Sequence, residues 1–146
     1  MLVCTRRIEW DAMHRIPNHE GRCRAFHGHR YVAEVTCHAP SLDALGRIVD
    51  FGVIKERVGG WVDAQWDHTA ILMRGDSDPA ALAIAASNEA LGRPIYWMER
   101  PPTAENIAAE LAEKASLLLA GTGVTVVRLR IWETPNAWAE WTPDPA

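Results

Sequence analysis

His27-Gly-His29 opens a segment whose residues alternate like a strand. Successive strand side chains face opposite ways, so His27 and His29 point to one side. His14 closes an earlier alternating segment and can join them from a neighbouring strand. Three neutral imidazoles are a common ligand set for an open zinc site, each bound at about 2.0–2.1 Å with a fourth place free. A histidine pair two apart on a strand also occurs without any metal. Cys23 lies four residues before His27. As a fourth ligand it would close the site and make it structural. As a free thiol among cationic neighbours it would favour the thiolate, a base or nucleophile. Spacing leaves both roles open.

Other candidates lie farther along the chain. Asp67-His68 puts a carboxylate beside an imidazole, which can set a tautomer and raise its basicity; a turn-capping aspartate next to a surface histidine is the plainer reading. Glu133 ends a strand face that is otherwise Val127, Leu129 and Ile131. In a pocket it would want a cationic or N–H-rich ligand. Thr103 and Glu105 fall in a first helical turn, where the helix dipole alone accounts for them. Arg15, Arg22, Arg24 and Arg30 cluster around the opening stretch, as a seat for an anionic substrate or as a solvated loop. His19 reads as an exposed loop residue, and His38 as facing away.

The elements that must position these groups follow from periodicity. Residues 2–13 and 27–38 alternate as two strands, joined by a loop containing Pro17, Asn18 and Gly21, most simply as an antiparallel hairpin. Ile8, Trp10, Ala12 and His14 share one face; so do His27, His29, Tyr31, Ala33, Val35 and Cys37. Asp50 caps a helix over about 51–64. An apolar run, Ala70 to Met73, comes next. Asp78-Pro79 starts an alanine-rich helix reaching Leu91, stopped by Gly92, and 95–98 makes a short strand. Thr103 caps a second main helix with the stripe Ile107, Leu111, Ala115 and Leu118. Residues 124–133 and 137–142 are the closing strands. Strands segregated from helices predict an α+β fold: a four-stranded antiparallel sheet with two main helices on one face. Its open edges hint at an oligomer.

At 146 residues the chain fits one domain, taken as 1–146. A net charge of −4 places general nucleic-acid binders low. No apolar run approaches a membrane span, and the N-terminus lacks a signal-peptide core. Three cysteines without a CxxC pair fit a reducing, cytoplasmic setting.

Six short segments, in order, resemble the 6-pyruvoyltetrahydropterin synthase superfamily: Trp10-Asp-Ala-Met-His14, Gly21 to Tyr31, Val49-Asp50-Phe51, Asp67-His68, Pro102-Thr103-Ala-Glu105-Asn106 and Glu133-Thr134. A cysteine separated by three residues from His-Gly-His is closer to the bacterial 6-carboxytetrahydropterin synthases. The resemblance implies a tunnelling fold whose sheets join edge to edge into a trimeric barrel. Two trimers stack into a homohexamer with active sites between subunits. It implies Zn2+ on His14, His27 and His29, Cys23 as the proton-taking thiolate, and Asp67 and His68 as a dyad on the substrate's other side. Glu133 would anchor the pterin ring and join the relay, with Thr103 and Glu105 lining the pterin end. The implied reaction turns 7,8-dihydroneopterin triphosphate into 6-carboxy-5,6,7,8-tetrahydropterin, acetaldehyde and triphosphate, toward queuosine-type deazapurines. Two alternatives stand beside it: a pyruvoyl-forming synthase eliminating triphosphate from the same substrate, and a non-enzyme whose structural zinc takes Cys23 as fourth ligand. The chain departs from the family pattern at Arg30, in the residues after His68, and in a longer 74–100 stretch with an added helix.

Overall fold

The computed structural model describes residues 1–145. Strands β1 (Cys4–His14) and β2 (His27–His38) pair antiparallel, and the register sets His14 opposite His27 and Trp10 opposite Tyr31. The expected face is the buried one: Ile8, Trp10, Ala12 and His14 on β1, and Tyr31, Ala33, Val35 and Cys37 on β2. β5 (Thr125–Thr134) pairs antiparallel with β2, and β6 (Ala137–Trp141) with β5.

These four strands are not the whole sheet. β3 (Thr69–Met73) runs parallel to β1, and β4 (Ile95–Met98) parallel to β3, giving a mixed six-stranded sheet in the order β4-β3-β1-β2-β5-β6. The expected four-stranded antiparallel sheet is corrected to that extent. The run Ala70–Met73 becomes a strand because it can be buried on both faces, the habit of parallel strands that read as continuous apolar runs. Ile71 joins the main core, while Ala70 and Leu72 are buried outside it.

The first main helix is continuous but not uniform. α1 (Phe51–Ile54) passes into a π-helical turn at Lys55–Gly59 and then α2 (Gly60–Gln65). The wide turn ends at the Gly59-Gly60 pair, the residue type that most readily gives up regular helix. α4 (Ala104–Leu118) packs beside it, and the two share one core with β1, β2 and β5. Ile107, Leu111, Leu129 and Ile131 are fully buried there, each worth about 1.5–3 kcal/mol by removal from water. Leu118, expected in the α4 stripe, is only partly buried; Leu119 takes the buried place. α3 (Pro79–Leu91) links β3 to β4, and Ala81 is its one buried residue. It lies outside the shared core.

On β5 the expected face slips by one residue. Cys37 pairs with Val126 and Thr36 with Arg128, so Val127 is the extra residue of a bulge. Val126 enters the core in its place, while Leu129 and Ile131 hold their predicted face. A bulge inserts one residue, and with a period of two it flips everything before it. Among the described residues, no helix is long and apolar enough to cross a membrane.

Candidate functional site

The end of β1 and the start of β2 meet at one point of the core face. His14 and His27 bring their Nε2 atoms to 2.9 Å. Each ring's other nitrogen is committed: His14 Nδ1 donates to the Pro102 carbonyl at 2.8 Å, and His27 Nδ1 donates to that of Ala25 at 2.9 Å. With both protons spent on carbonyls, both Nε2 atoms present lone pairs. His29 Nε2 is buried without a hydrogen-bond partner. One nitrogen from each ring falls within 4.8 Å of the others. Burial pushes His14 down to about 4; the Pro102 carbonyl opposes this, and His27 and His29 add to the lowering. Burial also lowers His29, against the opposing pull of Glu133. Neutral imidazoles with converging lone pairs and an orphaned buried nitrogen fit a zinc-type cation.

Glu133, next to the last residue of β5, reaches toward this group. Its carboxylate oxygens lie 3.5 Å from His29 Nε2 and 4.0 Å from His14 Nε2. It also borders a cleft of about 330 Å³ lined by Cys23, Thr103, Glu105, His19 and Trp138. Four of the sequence-derived candidates thus share one cavity next to the three histidines. Cys23 sits in a short 3-10 turn, Arg22–Arg24, and is partly buried. Its sulfur is outside the cluster of ligand atoms that the histidines form. Thr103 caps α4 by accepting the Asn106 N–H at 3.2 Å.

Asp67 and His68 do touch, with 2.9 Å between Oδ1 and Nδ1. Asp67 also accepts the Asp11 N–H at 3.1 Å. Burial alone would raise its carboxyl, but the Asp11 N–H, His68 and Arg30 outweigh that and hold it below the usual carboxylate range. His68 has φ +58°, a left-handed conformation uncommon for a residue with a Cβ, and its own N–H donates to the Asp11 carbonyl at 2.7 Å. Its side chain is 78% exposed. It lines a different hollow, about 610 Å³, with Asp11, Met13, His29, Arg30 and Arg93; His29 links that hollow to the histidine group, but the hollow shares no lining residue with the Cys23 cleft. A single chain therefore does not bring the dyad to the thiol.

The arginine cluster divides. Arg15 is buried against Asp76, and Arg30 pairs with Asp11 and Glu9 at 2.8 and 3.3 Å; Arg22 and Arg24 remain exposed. His19 is partly buried rather than exposed, because its Nδ1 accepts the Gly21 N–H at 2.8 Å. His38 turns away as expected, donating to the Leu2 carbonyl at 3.0 Å. Sequence reasoning missed the Pro102 and Ala25 carbonyls that orient two rings. Pro101-Pro102 read only as a helix start, and a backbone oxygen carries no residue-type signal.

The 6-pyruvoyl tetrahydropterin synthase family matches residues 3–144. This chain belongs to that family. A relative in Rickettsia bellii, named 6-carboxy-5,6,7,8-tetrahydropterin synthase, is 43% identical over 142 residues, covering 96% of this chain and 99% of its own. One of the same name in Rickettsia felis is 41% identical over 141 residues, with 96% and 99% covered. Among solved structures, an uncharacterized protein from Wolinella succinogenes superposes with a TM-score of 0.84 at 20% identity, 98% of each chain covered. The Caenorhabditis elegans 6-pyruvoyl tetrahydropterin synthase gives 0.68 at 19% identity, covering 98% of this chain and 96% of that one. At those identities the structures speak for the fold.

Proposed function

We propose that this chain is a zinc-dependent lyase converting 7,8-dihydroneopterin triphosphate to 6-carboxy-5,6,7,8-tetrahydropterin, acetaldehyde and triphosphate, a step toward queuosine-type deazapurines. The observation that carries the reading is the cleft itself. Cys23, Thr103, Glu105 and Glu133 line it together, and Glu133 joins it to the three histidines, 3.5 Å from His29 Nε2 and 4.0 Å from His14 Nε2. Nearly full-length similarity to relatives named for that carboxy-forming reaction supports the choice of product.

His14, His27 and His29 would hold the metal, which when bound supplies Lewis-acid polarisation of the substrate's side-chain oxygens. The remaining steps belong to the chain. The Glu133 carboxylate accepts the paired N–H groups of the pterin's amino-pyrimidine edge, a charge-assisted contact that orients the ring. Thr103 and Glu105 close the ring end of the cleft. Cys23, as thiolate, takes a proton from the substrate side chain, and His68, set by Asp67, exchanges protons at the opposite face. Since the dyad lies in another hollow, His68 reaches the substrate from a second copy. The unpaired edge of β6 and the stretch of β1 before Ala12, where β3 does not reach, would allow that assembly. Edge-to-edge joining would build a trimeric barrel, and stacking a hexamer.

Incubation of zinc-loaded protein with 7,8-dihydroneopterin triphosphate, with products identified by mass, is the deciding experiment. Carboxytetrahydropterin with acetaldehyde supports the reading, pyruvoyltetrahydropterin replaces it with the triphosphate-eliminating reaction, and no turnover sinks both.

A further inference from the structure

Arg15 follows His14 directly and lines neither the Cys23 cleft nor the His68 hollow. It is 4% exposed, which a cation tolerates only when well partnered. One guanidinium nitrogen contacts the Asp76 carboxylate, itself 8% exposed, and the other lies 3.4 Å from Asp78, the residue capping α3. Its Nε donates to the Arg24 carbonyl at 2.8 Å. One side chain thus joins the end of β1, the turn carrying Cys23, and the loop between β3 and α3.

That turn has little else to hold it. None of Arg22–Arg24 is buried, and Gly21 provides no side-chain cap. Among the described residues, the Ile16 N–H, donating to the Cys23 carbonyl at 2.8 Å, crosses the loop beside the Arg15 bond, and His27 Nδ1 donates to the Ala25 carbonyl at the turn's end. An apolar side chain would serve stability at this place as well as a buried ion pair does. It would not donate to the carbonyl next to Cys23 while staying fixed to carboxylates on another element. Lysine would not either: it has one terminal nitrogen and no fork.

We propose that Arg15, braced by Asp76 and Asp78, is the positioning residue of Cys23, holding the thiol-bearing turn against the cleft it shares with Glu133. The proposal rests on the reading of Cys23 as the proton-moving group. It also gives the 74–100 stretch a purpose, since that stretch supplies both bracing carboxylates.

Two variants test it. Arg15→Lys keeps the charge for Asp76 and loses the bond to Arg24. The double variant Arg15→Met with Asp76→Asn removes both buried charges together. Both are expected to match the parent in zinc content and in amide exchange of α4. Exchange at residues 21–26 should quicken about tenfold or more as the turn opens. Iodoacetamide should alkylate Cys23 several-fold faster, read by mass on its own peptide, and kcat should fall about tenfold or more with KM within about twofold. Parent-like exchange and alkylation overturn the proposal whatever happens to kcat. Faster exchange with an unchanged kcat also overturns it, leaving Arg15 a structural part only. If the double variant does not fold, the lysine variant decides. Exchange and alkylation need no substrate, so a parent inactive on the pterin triphosphate would sink the proposed function while Arg15 is still decided.

Discussion

Two imidazole nitrogens with lone pairs 2.9 Å apart repel unless a cation lies between them, and the Pro102 and Ala25 carbonyls prevent either ring from turning its proton inward. This arrangement separates the histidines from Cys23 by role. Replacing His29 with Ala removes one of three nitrogens and should lower the zinc retained after dialysis by about tenfold or more, measured by plasma mass spectrometry. Cys23→Ala should leave zinc content at the parent level and cost about 10²–10⁴-fold in turnover, the usual worth of a positioned proton carrier. Zinc lost with Cys23→Ala would restore the structural-site alternative. Glu133→Gln keeps shape and removes charge. A hydrogen bond to a charged group is worth about 1.5–3 kcal/mol, so kcat/KM should drop about 10- to 150-fold. An unchanged ratio would remove Glu133 from the ring-binding role. The three histidines were legible because strand alternation and one antiparallel register are enough to bring them together. Arg15 was not, because its partners Asp76 and Asp78 come from a loop that periodicity does not place.

Local features of the elements were the readable ones. Asp50, Asp78 and Thr103 each accept the N–H they were expected to cap, Gly52 at 2.7 Å, Ala80 at 2.9 Å and Asn106 at 3.2 Å. A cap needs only its next few residues. Strand pairing needs a partner from elsewhere. β3 therefore hid as an apolar run, and the bulge opposite Thr36 exchanged Val126 for Val127 without any local sign. Thr103 sits beside the site as well, because Pro102, the residue before it, presents its carbonyl to His14. Thr103→Ala should cost about 1 kcal/mol from the lost cap, or about 2–4 °C in Tm for a chain of this size. A thermal melt of zinc-free protein checks this cleanly, and a Tm equal to the parent's would show that the cap adds nothing to the fold.

At the scale of the molecule, Cys23 and the Asp67–His68 pair stand in two separate hollows, with His29 bordering the second. The Cys23 cleft and the His68 hollow have no lining residue in common, and His68 is mostly exposed in one copy. An imidazole in a left-handed turn, held by a carboxylate and mostly exposed to solvent, is an uncommon backbone arrangement of the kind that clusters at functional sites. If the second party is another copy, each complete site takes Cys23 from one chain and His68 from its neighbour. That has a consequence a self-contained chain would not share. Cys23→Ala and His68→Ala should each be nearly inactive alone. Unfolded together and refolded as a mixture, they should regain activity, because some interfaces join an intact Cys23 to an intact His68. Random mixing in equal amounts makes about a quarter of the interfaces complete, so about a quarter of the parent rate is expected. A mixture no more active than its components would place both groups in one chain's site, and the shared-site reading would fall with it.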